Sequence, residues 1–192
     1  MDSTSSDNPN KSNWNVPNAL SSIRLLLAIV VCYFIETSAF LPALILFIVA
    51  ASTDWIDGWW ARKYNQVTKL GRILDPFVDK IIICGAMIAL AGFPSSPIRP
   101  WMATIVVGRE LLVTSLRGMI EGKGGDFSAK QLGKWKMVLQ CAAVVFVLLK
   151  LYLGTLSTSW NFGLLAIVWS AIALTIVSGI EYVLIVARKS SS

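Results

Sequence analysis

The stretch DWIDGWWARKYNQVTKLGRILDPFVDK, residues 54–80, places four aspartates between two apolar segments. Asp54 and Asp57 are three residues apart, and Asp75 and Asp79 are four apart. On a helix, either spacing puts the two carboxylates on one face. Because the connection is short, the two helices are expected to pack antiparallel with their carboxylate pairs facing each other.

The rest of the chain has the composition of an integral membrane protein. Hydrophobic residues make up 55% of it, charged residues 15%, and the mean hydropathy is +0.65. Several apolar runs reach the ~18–20 residues that cross a bilayer as a helix. We predict a disordered cytoplasmic tail over 1–12 and one all-α domain over 13–189, which opens with a short interfacial helix over 13–20. The six expected transmembrane helices cover 18–36, 39–62, 71–93, 99–121, 129–154 and 159–187.

The basic residues indicate how these spans are oriented. Lysine and arginine are concentrated in the loops after spans two and four and in the C-terminal tail. The positive-inside rule therefore places both termini and the aspartate stretch in the cytoplasm. A formal charge of +6 then points to loops near anionic lipid and not to nucleic acid.

The four aspartates need a positive counter-charge. The first pair also lies near a helix C-terminus, the unfavourable end of the helix dipole for an anion. The chain contains no histidine, so hard oxygen ligands favour Mg²⁺ or Mn²⁺. Four carboxylates suit two such ions bridged by phosphate. The alternative is a salt-bridge network with Arg62, Lys63, Arg72 and Lys80.

Small residues beside the first aspartate pair favour a phosphate ligand. Gly58 costs ~1 kcal/mol of helix propensity relative to alanine but leaves room for a ligand to approach. Ala61 keeps the same face flat, and Arg62 can hold a phosphate with its fork of donors. Helix–helix packing is the other explanation for Gly58 taken alone.

The pattern D-x-x-D-G-x-x-A-R from residue 54, followed after eight residues by G-x-x-x-D-x-x-x-D, resembles the signature of the CDP-alcohol phosphotransferases. Such enzymes move a phosphatidyl or related group from a CDP-linked donor to an alcohol and release CMP. The resemblance implies that the first three aspartates hold one metal, and that the first, third and fourth hold or approach a second. It also implies that Asp79 takes the proton from the attacking hydroxyl. The CDP site would be lined by Gly58, Ala61, Arg62 and Gly71.

Charged residues in spans four and five indicate an anion pocket. Each charge near a helix centre costs about 2.5–3.5 kcal/mol on insertion scales, so these side chains should face a polar interior. We expect four of them to converge beside the aspartates and bind the phosphate of the acceptor: Arg109, Arg117, Lys134 and Lys136. The alternatives are a structural pair of Glu110 with an arginine, and positive-inside anchoring for the two lysines.

Three further segments resemble the bacterial phosphatidylglycerophosphate synthases: NVPNALSSIRLLLA at 15–28, GRELLVTSLR at 108–117 and LGKWKMVLQ at 132–140. This resemblance implies CDP-diacylglycerol as donor, sn-glycerol 3-phosphate as acceptor, a homodimer and a bacterial inner-membrane location. Asn18 and Arg24 would help to bind the donor.

Two other functions remain open from the sequence. A sister enzyme could use inositol phosphate, serine or phosphatidylglycerol as acceptor, since only the acceptor pocket separates these activities. A small cation transporter would instead spread its acids across the membrane depth, whereas these acids cluster at one face.

Overall fold

The computed structural model describes the backbone over residues 16–64, 69–121, 131–154 and 157–190, and the side chains over 22–53, 77–118, 133, 135–154 and 157–188. All regular structure in these ranges is helical. The six helices are α1 (Val16–Glu36), α2 (Phe40–Tyr64), α3 (Lys69–Ala91), α4 (Pro100–Glu121), α5 (Gln131–Leu153) and α6 (Thr158–Ser190). The predicted six helices are confirmed, with bounds that differ by at most three residues. The predicted tail over 1–12 lies outside the described residues.

The prediction of a separate short helix over 13–20 is wrong for residues 16–20, the part that the structure describes. From Val16 onward these residues are the first turns of α1, which continues to Glu36 without a break. Pro17 does not interrupt it, because the first turn of a helix tolerates a residue without an N–H group. An apolar run follows directly, so nothing in the sequence separates the two segments.

Local turn chemistry ends α1 and begins α4. Ser38 adopts a left-handed conformation with φ of 60°, and the Ala39 N–H donates to the Phe34 carbonyl at 2.8 Å. These are features of a Schellman cap, here with serine in place of the usual glycine. Pro100 occupies the first position of α4, where its fixed φ favours the helix.

Helix α3 is central to the bundle. It contacts α1, α2, α4 and α5, and its contact with α1 is the most extensive between any two helices of the described residues. Helix α6 packs on α4 and α5. The core between the helices consists of fully buried aliphatic and aromatic side chains such as Phe47, Met87 and Leu148. Gly85 allows the close approach of α1, since a Cβ there would lie 2.8 Å from the Cys32 Sγ atom.

Two helical segments are long and apolar enough to cross a membrane by length and composition, among the residues that the structure describes. They are Trp135–Leu153 and Thr158–Arg188, with mean hydropathies of 1.9 and 2.2. Phe40–Thr53 is a shorter apolar helix. Helix α4 is less apolar because it carries Arg109, Glu110 and Arg117, and their positions are described next.

Candidate functional site

The four aspartates lie on two helices that touch, as the short connection between them predicted. Asp54 and Asp57 belong to α2, and Asp75 and Asp79 belong to α3. Of these four side chains, the structure describes that of Asp79. The positions predicted to bind the CDP donor lie outside the described side chains: Asn18, Gly58, Ala61, Arg62 and Gly71. The geometry of the site is therefore built from Asp79.

A buried arginine from α1 orients Asp79. The Arg24 Nη1 atom donates a hydrogen bond to the Asp79 Oδ1 atom at 3.0 Å. The Arg24 side chain is 2% exposed and that of Asp79 is 22% exposed. A charge-assisted bond to a buried guanidinium fixes the direction of the carboxylate more tightly than a surface ion pair does. The sequence pattern had placed Arg24 at the donor, and the structure shows it in contact with Asp79.

A cavity of about 270 Å³ adjoins Asp79 and lies among α3, α4, α5 and α6. Among the residues whose side chains are described, four basic and two acidic ones line it, an excess of two positive charges. The basic side chains are Lys80, Arg109, Arg117 and Lys136, and the acidic ones are Asp79 and Glu110. The structure thus brings three of the four expected acceptor residues beside the aspartate. The side chain of the fourth, Lys134, lies outside the described residues.

Glu110 partly neutralises the basic wall of the cavity. Lys136 donates a hydrogen bond to its Oε1 atom, and the Arg109 Nη1 atom lies 3.4 Å from the same oxygen. Glu110 and Lys136 are 8% and 7% exposed, so the pair is buried. The pairing of Glu110 with Arg109 was one alternative from the sequence. Its pairing with Lys136, 26 residues away, was missed.

Helix α6 holds Arg109 in place. The Arg109 Nε atom donates a hydrogen bond to the Ser178 Oγ atom at 3.2 Å. Its guanidinium carbon lies 5.5 Å from the centre of the Tyr182 ring, within range of a cation–π interaction. A Cβ at Gly179 would lie 3.2 Å from the Arg109 Cγ atom, so glycine makes room for the arginine stem. Ser178, Gly179 and Tyr182 were not predicted, and the only signal for them in the sequence is a Ser-Gly pair inside an apolar run.

Two hydrogen bonds between helices also hold residues that line the cavity. The Gln140 Nε2 atom on α5 donates to the Thr175 Oγ1 atom on α6 at 2.9 Å, and both residues are buried. Lys80 on α3 donates to the Thr114 hydroxyl on α4. Buried polar groups that are hydrogen-bonded in this way specify one arrangement of helices.

The arrangement suits an anion held beside a carboxylate. Buried guanidinium groups bind phosphate with paired hydrogen bonds, and the low dielectric strengthens that attraction. The described part of the wall carries more basic than acidic side chains, which favours an anionic occupant. An occupant bound there would also lie near Asp79, which can accept a proton.

The sequence matches the family described as CDP-alcohol phosphatidyltransferase over residues 14–178, which include both aspartate pairs and all the described lining of the cavity except Tyr182. The chain belongs to this family. CDP-alcohol phosphatidyltransferases are integral membrane enzymes, and the family is known to use divalent metal ions.

Several curated family members align with most of this chain, and each carries the name CDP-diacylglycerol–glycerol-3-phosphate 3-phosphatidyltransferase. The protein of that name in Bacillus subtilis is 43% identical over 144 residues, which is 75% of this chain and 72% of that protein. The one in Cereibacter sphaeroides is 37% identical over 74% of this chain and 65% of its own length. The one in Haemophilus influenzae is 30% identical over 77% of this chain and 89% of its own length.

The donor set of this chain fits the metals of the family. Two touching helices together carry four carboxylates within 26 residues, and no histidine is present in the sequence. Carboxylate oxygens are the ligands that Mg²⁺ and Mn²⁺ prefer. In the part of the chain whose side chains are described, no group of three or more acidic or cysteine residues could hold a metal.

Proposed function

We propose that this protein transfers the phosphatidyl group of CDP-diacylglycerol to sn-glycerol 3-phosphate, giving phosphatidylglycerophosphate and CMP. The observation that carries the proposal is the cavity that places Arg109, Arg117 and Lys136 beside Asp79. An acceptor with its own phosphate needs such a wall, whereas an uncharged alcohol does not. The names of relatives that are 30–43% identical to this chain support the same reaction.

The acceptor phosphate binds to the basic wall. Arg109 and Arg117 from α4 and Lys136 from α5 supply donors from two directions, and we assign Lys134 to the same group. The phosphate of glycerol 3-phosphate carries close to two negative charges at neutral pH, which matches the excess of two positive charges among the described lining residues. Ser178 and Tyr182 hold Arg109 so that it does not have to reorganise when the phosphate arrives.

Asp79 accepts the proton from the attacking hydroxyl. The contact with Arg24 holds its carboxylate in one orientation at the edge of the cavity. The hydroxyl oxygen then forms a bond to the phosphorus that carries diacylglycerol. The bond from that phosphorus to the oxygen of CMP breaks, and CMP leaves with the electron pair.

The donor side of the site is formed by α2 and the start of α3. Two divalent metal ions would be held by the four aspartates, Asp54, Asp57, Asp75 and Asp79. When bound, such ions neutralise the pyrophosphate and stabilise the leaving CMP. The CDP moiety is assigned to Asn18, Gly58, Ala61, Arg62 and Gly71.

All six helices span the membrane in this proposal. The shortest, α1, has 21 residues and is about 32 Å long, enough for a hydrocarbon core of about 30 Å. The distribution of basic residues supports a cytoplasmic active site in a bacterial inner membrane. A homodimer completes the proposal, and its stoichiometry can be checked by the mass of the purified protein in detergent.

One assay tests the reaction and the acceptor together. The purified protein is given CDP-diacylglycerol and Mg²⁺, and CMP release is measured separately with glycerol 3-phosphate, inositol phosphate, inositol, serine and phosphatidylglycerol. Release only with glycerol 3-phosphate is expected, and chelation of the metal should abolish it. CMP release with another alcohol would identify that alcohol as the acceptor instead of glycerol 3-phosphate. No CMP release with any of these alcohols, from folded protein, would overturn the proposal.

A further inference from the structure

A second and larger cavity lies at the opposite end of the bundle from the aspartates. Its volume is about 720 Å³, and it is formed by the α3–α4 connection, the end of α5 and the start of α6. Asp79 lies 12 residues before the last residue of α3, Ala91, which corresponds to about 18 Å along the helix. The cavity is therefore separate from the site described above.

Two basic side chains line this cavity, Arg99 and Lys150. In the described part of the chain, neither side chain has a hydrogen bond or an ion pair. No acidic residue occurs over 92–108 or 142–180, the segments that contain the whole lining. The cavity thus has a positive charge that its own segments do not balance.

The positions of these two residues are unusual. In the orientation proposed above, this end faces away from the cytoplasm, where lysine and arginine are depleted. The Arg99 carbonyl accepts the first hydrogen bonds of α4, so its guanidinium is attached at the positive end of that helix dipole. A bound anion would offset the cost of placing basic side chains at this end of the bundle and of placing the Arg99 guanidinium at the positive end of the helix dipole.

Hydrogen bonds order the backbone on two sides of the cavity. The buried Ser96 hydroxyl accepts a hydrogen bond from the Ile98 N–H at 3.1 Å, which holds the α3–α4 connection in place. Gly154, with φ of 77°, ends α5 through a bond from its N–H to the Lys150 carbonyl at 3.0 Å. These caps hold the backbone that carries the lining.

The remaining lining selects a lipid over a free ion. Leu151, Leu164 and Leu165 form an apolar side, and Leu165 is also exposed on the surface of α6. A phosphate ion would fill only a small part of this volume, whereas a lipid headgroup with the start of an acyl chain has both the charge and the apolar portion. We propose that the cavity binds an anionic phospholipid, with its headgroup phosphate between Arg99 and Lys150.

Native mass spectrometry of the full chain tests this proposal. The protein is held in a non-ionic detergent with equal amounts of phosphatidylglycerol and phosphatidylcholine, and the retained lipid is identified. Wild-type protein should retain phosphatidylglycerol preferentially. The double variant Arg99→Gln/Lys150→Gln should bind it about thirtyfold more weakly, and each single variant about fivefold.

The matched control is the charge-conserving exchange Arg99→Lys/Lys150→Arg, which should retain the lipid as wild type does. If the double glutamine variant does not fold, the single variants give the answer. Equal retention by wild type and the glutamine variants would overturn the proposal and reduce both residues to interfacial anchors. Binding of inorganic phosphate that displaces the lipid and is lost in the variants would overturn the choice of a lipid.

The readout does not depend on catalysis. CMP release from CDP-diacylglycerol, in detergent without added phosphatidylglycerol or phosphatidylcholine, should be unchanged in the glutamine variants, because neither residue belongs to the site around Asp79. A failure of the proposed transferase reaction would leave the lipid result standing. A failure of lipid retention would likewise leave the reaction untouched.

Discussion

The buried pair of Glu110 and Lys136 offers a test of how the acceptor wall is built. We consider three variants in which volume is nearly kept while charge is removed: Glu110→Leu, Lys136→Met and the double variant. The two substitutions are not equivalent. Lys136→Met leaves Glu110 in contact with Arg109, whereas Glu110→Leu leaves two buried cations without the carboxylate.

The magnitude follows from burial. Both side chains are less than a tenth exposed, so removing one partner leaves a poorly solvated charge, at a cost of about 3–5 kcal/mol. Glu110→Leu should lie at the upper end of that range, and Lys136→Met should cost less because Arg109 still compensates. Replacement of both partners restores charge balance between them, so the double variant should be several kcal/mol more stable than the sum of the single effects predicts.

Thermal unfolding of the purified variants in detergent measures these differences. A loss of about 3–5 kcal/mol corresponds to roughly 10 °C in a protein of this size. The double variant should unfold above Glu110→Leu. Additive losses in the double variant, or equal losses in the two single variants, would refute the reasoning from the shared carboxylate.

Three further predictions concern catalysis and helix packing. Asp79→Asn should keep the fold and donor binding yet lose nearly all CMP release, since the amide cannot accept the proton; near-normal turnover would end its assignment as the base. Arg117→Ala should raise the KM for glycerol 3-phosphate by about tenfold or more while leaving that for the CDP-lipid nearly unchanged, and an unchanged acceptor KM would give Arg117 a structural role. Gly85→Ala should lower the unfolding temperature, because its Cβ would lie 2.8 Å from the Cys32 Sγ atom. The control Gly163→Ala has open space at its Cβ position and should not lower it. Equal unfolding temperatures for the two variants would mean that α1 and α3 can separate without cost.

The helices could be predicted from the sequence because each is an apolar run bounded by turn residues or charges. The spans predicted at 39–62 and 99–121, for example, are helices at Phe40–Tyr64 and Pro100–Glu121. The separate interfacial helix could not be ruled out beforehand, since a polar start and an apolar continuation are equally consistent with one helix or two. Amino-acid composition does not determine whether the helix axis bends between the polar start and the apolar continuation.

The candidate site was predictable where charges interrupt apolar runs. Arg109, Arg117 and Lys136 stood out because each is expensive in a membrane unless it faces a polar interior. The long-range partners of the site residues could not be predicted. Arg24 meets Asp79 across 55 residues, and Ser178 meets Arg109 across 69, and no local spacing encodes such contacts.

Asp79 stands where two parts of the chain meet. The residues assigned to the donor precede it in the sequence, on α1, α2 and the start of α3, whereas the basic wall and its supports follow it, mostly on α4, α5 and α6. In the proposed assignment, substitutions in the later helices would alter which alcohol is accepted while the nucleotide-binding residues stay unchanged. A single ancestral donor half joined to diverging acceptor halves would be enough to give enzymes that share one activated lipid and make different headgroups.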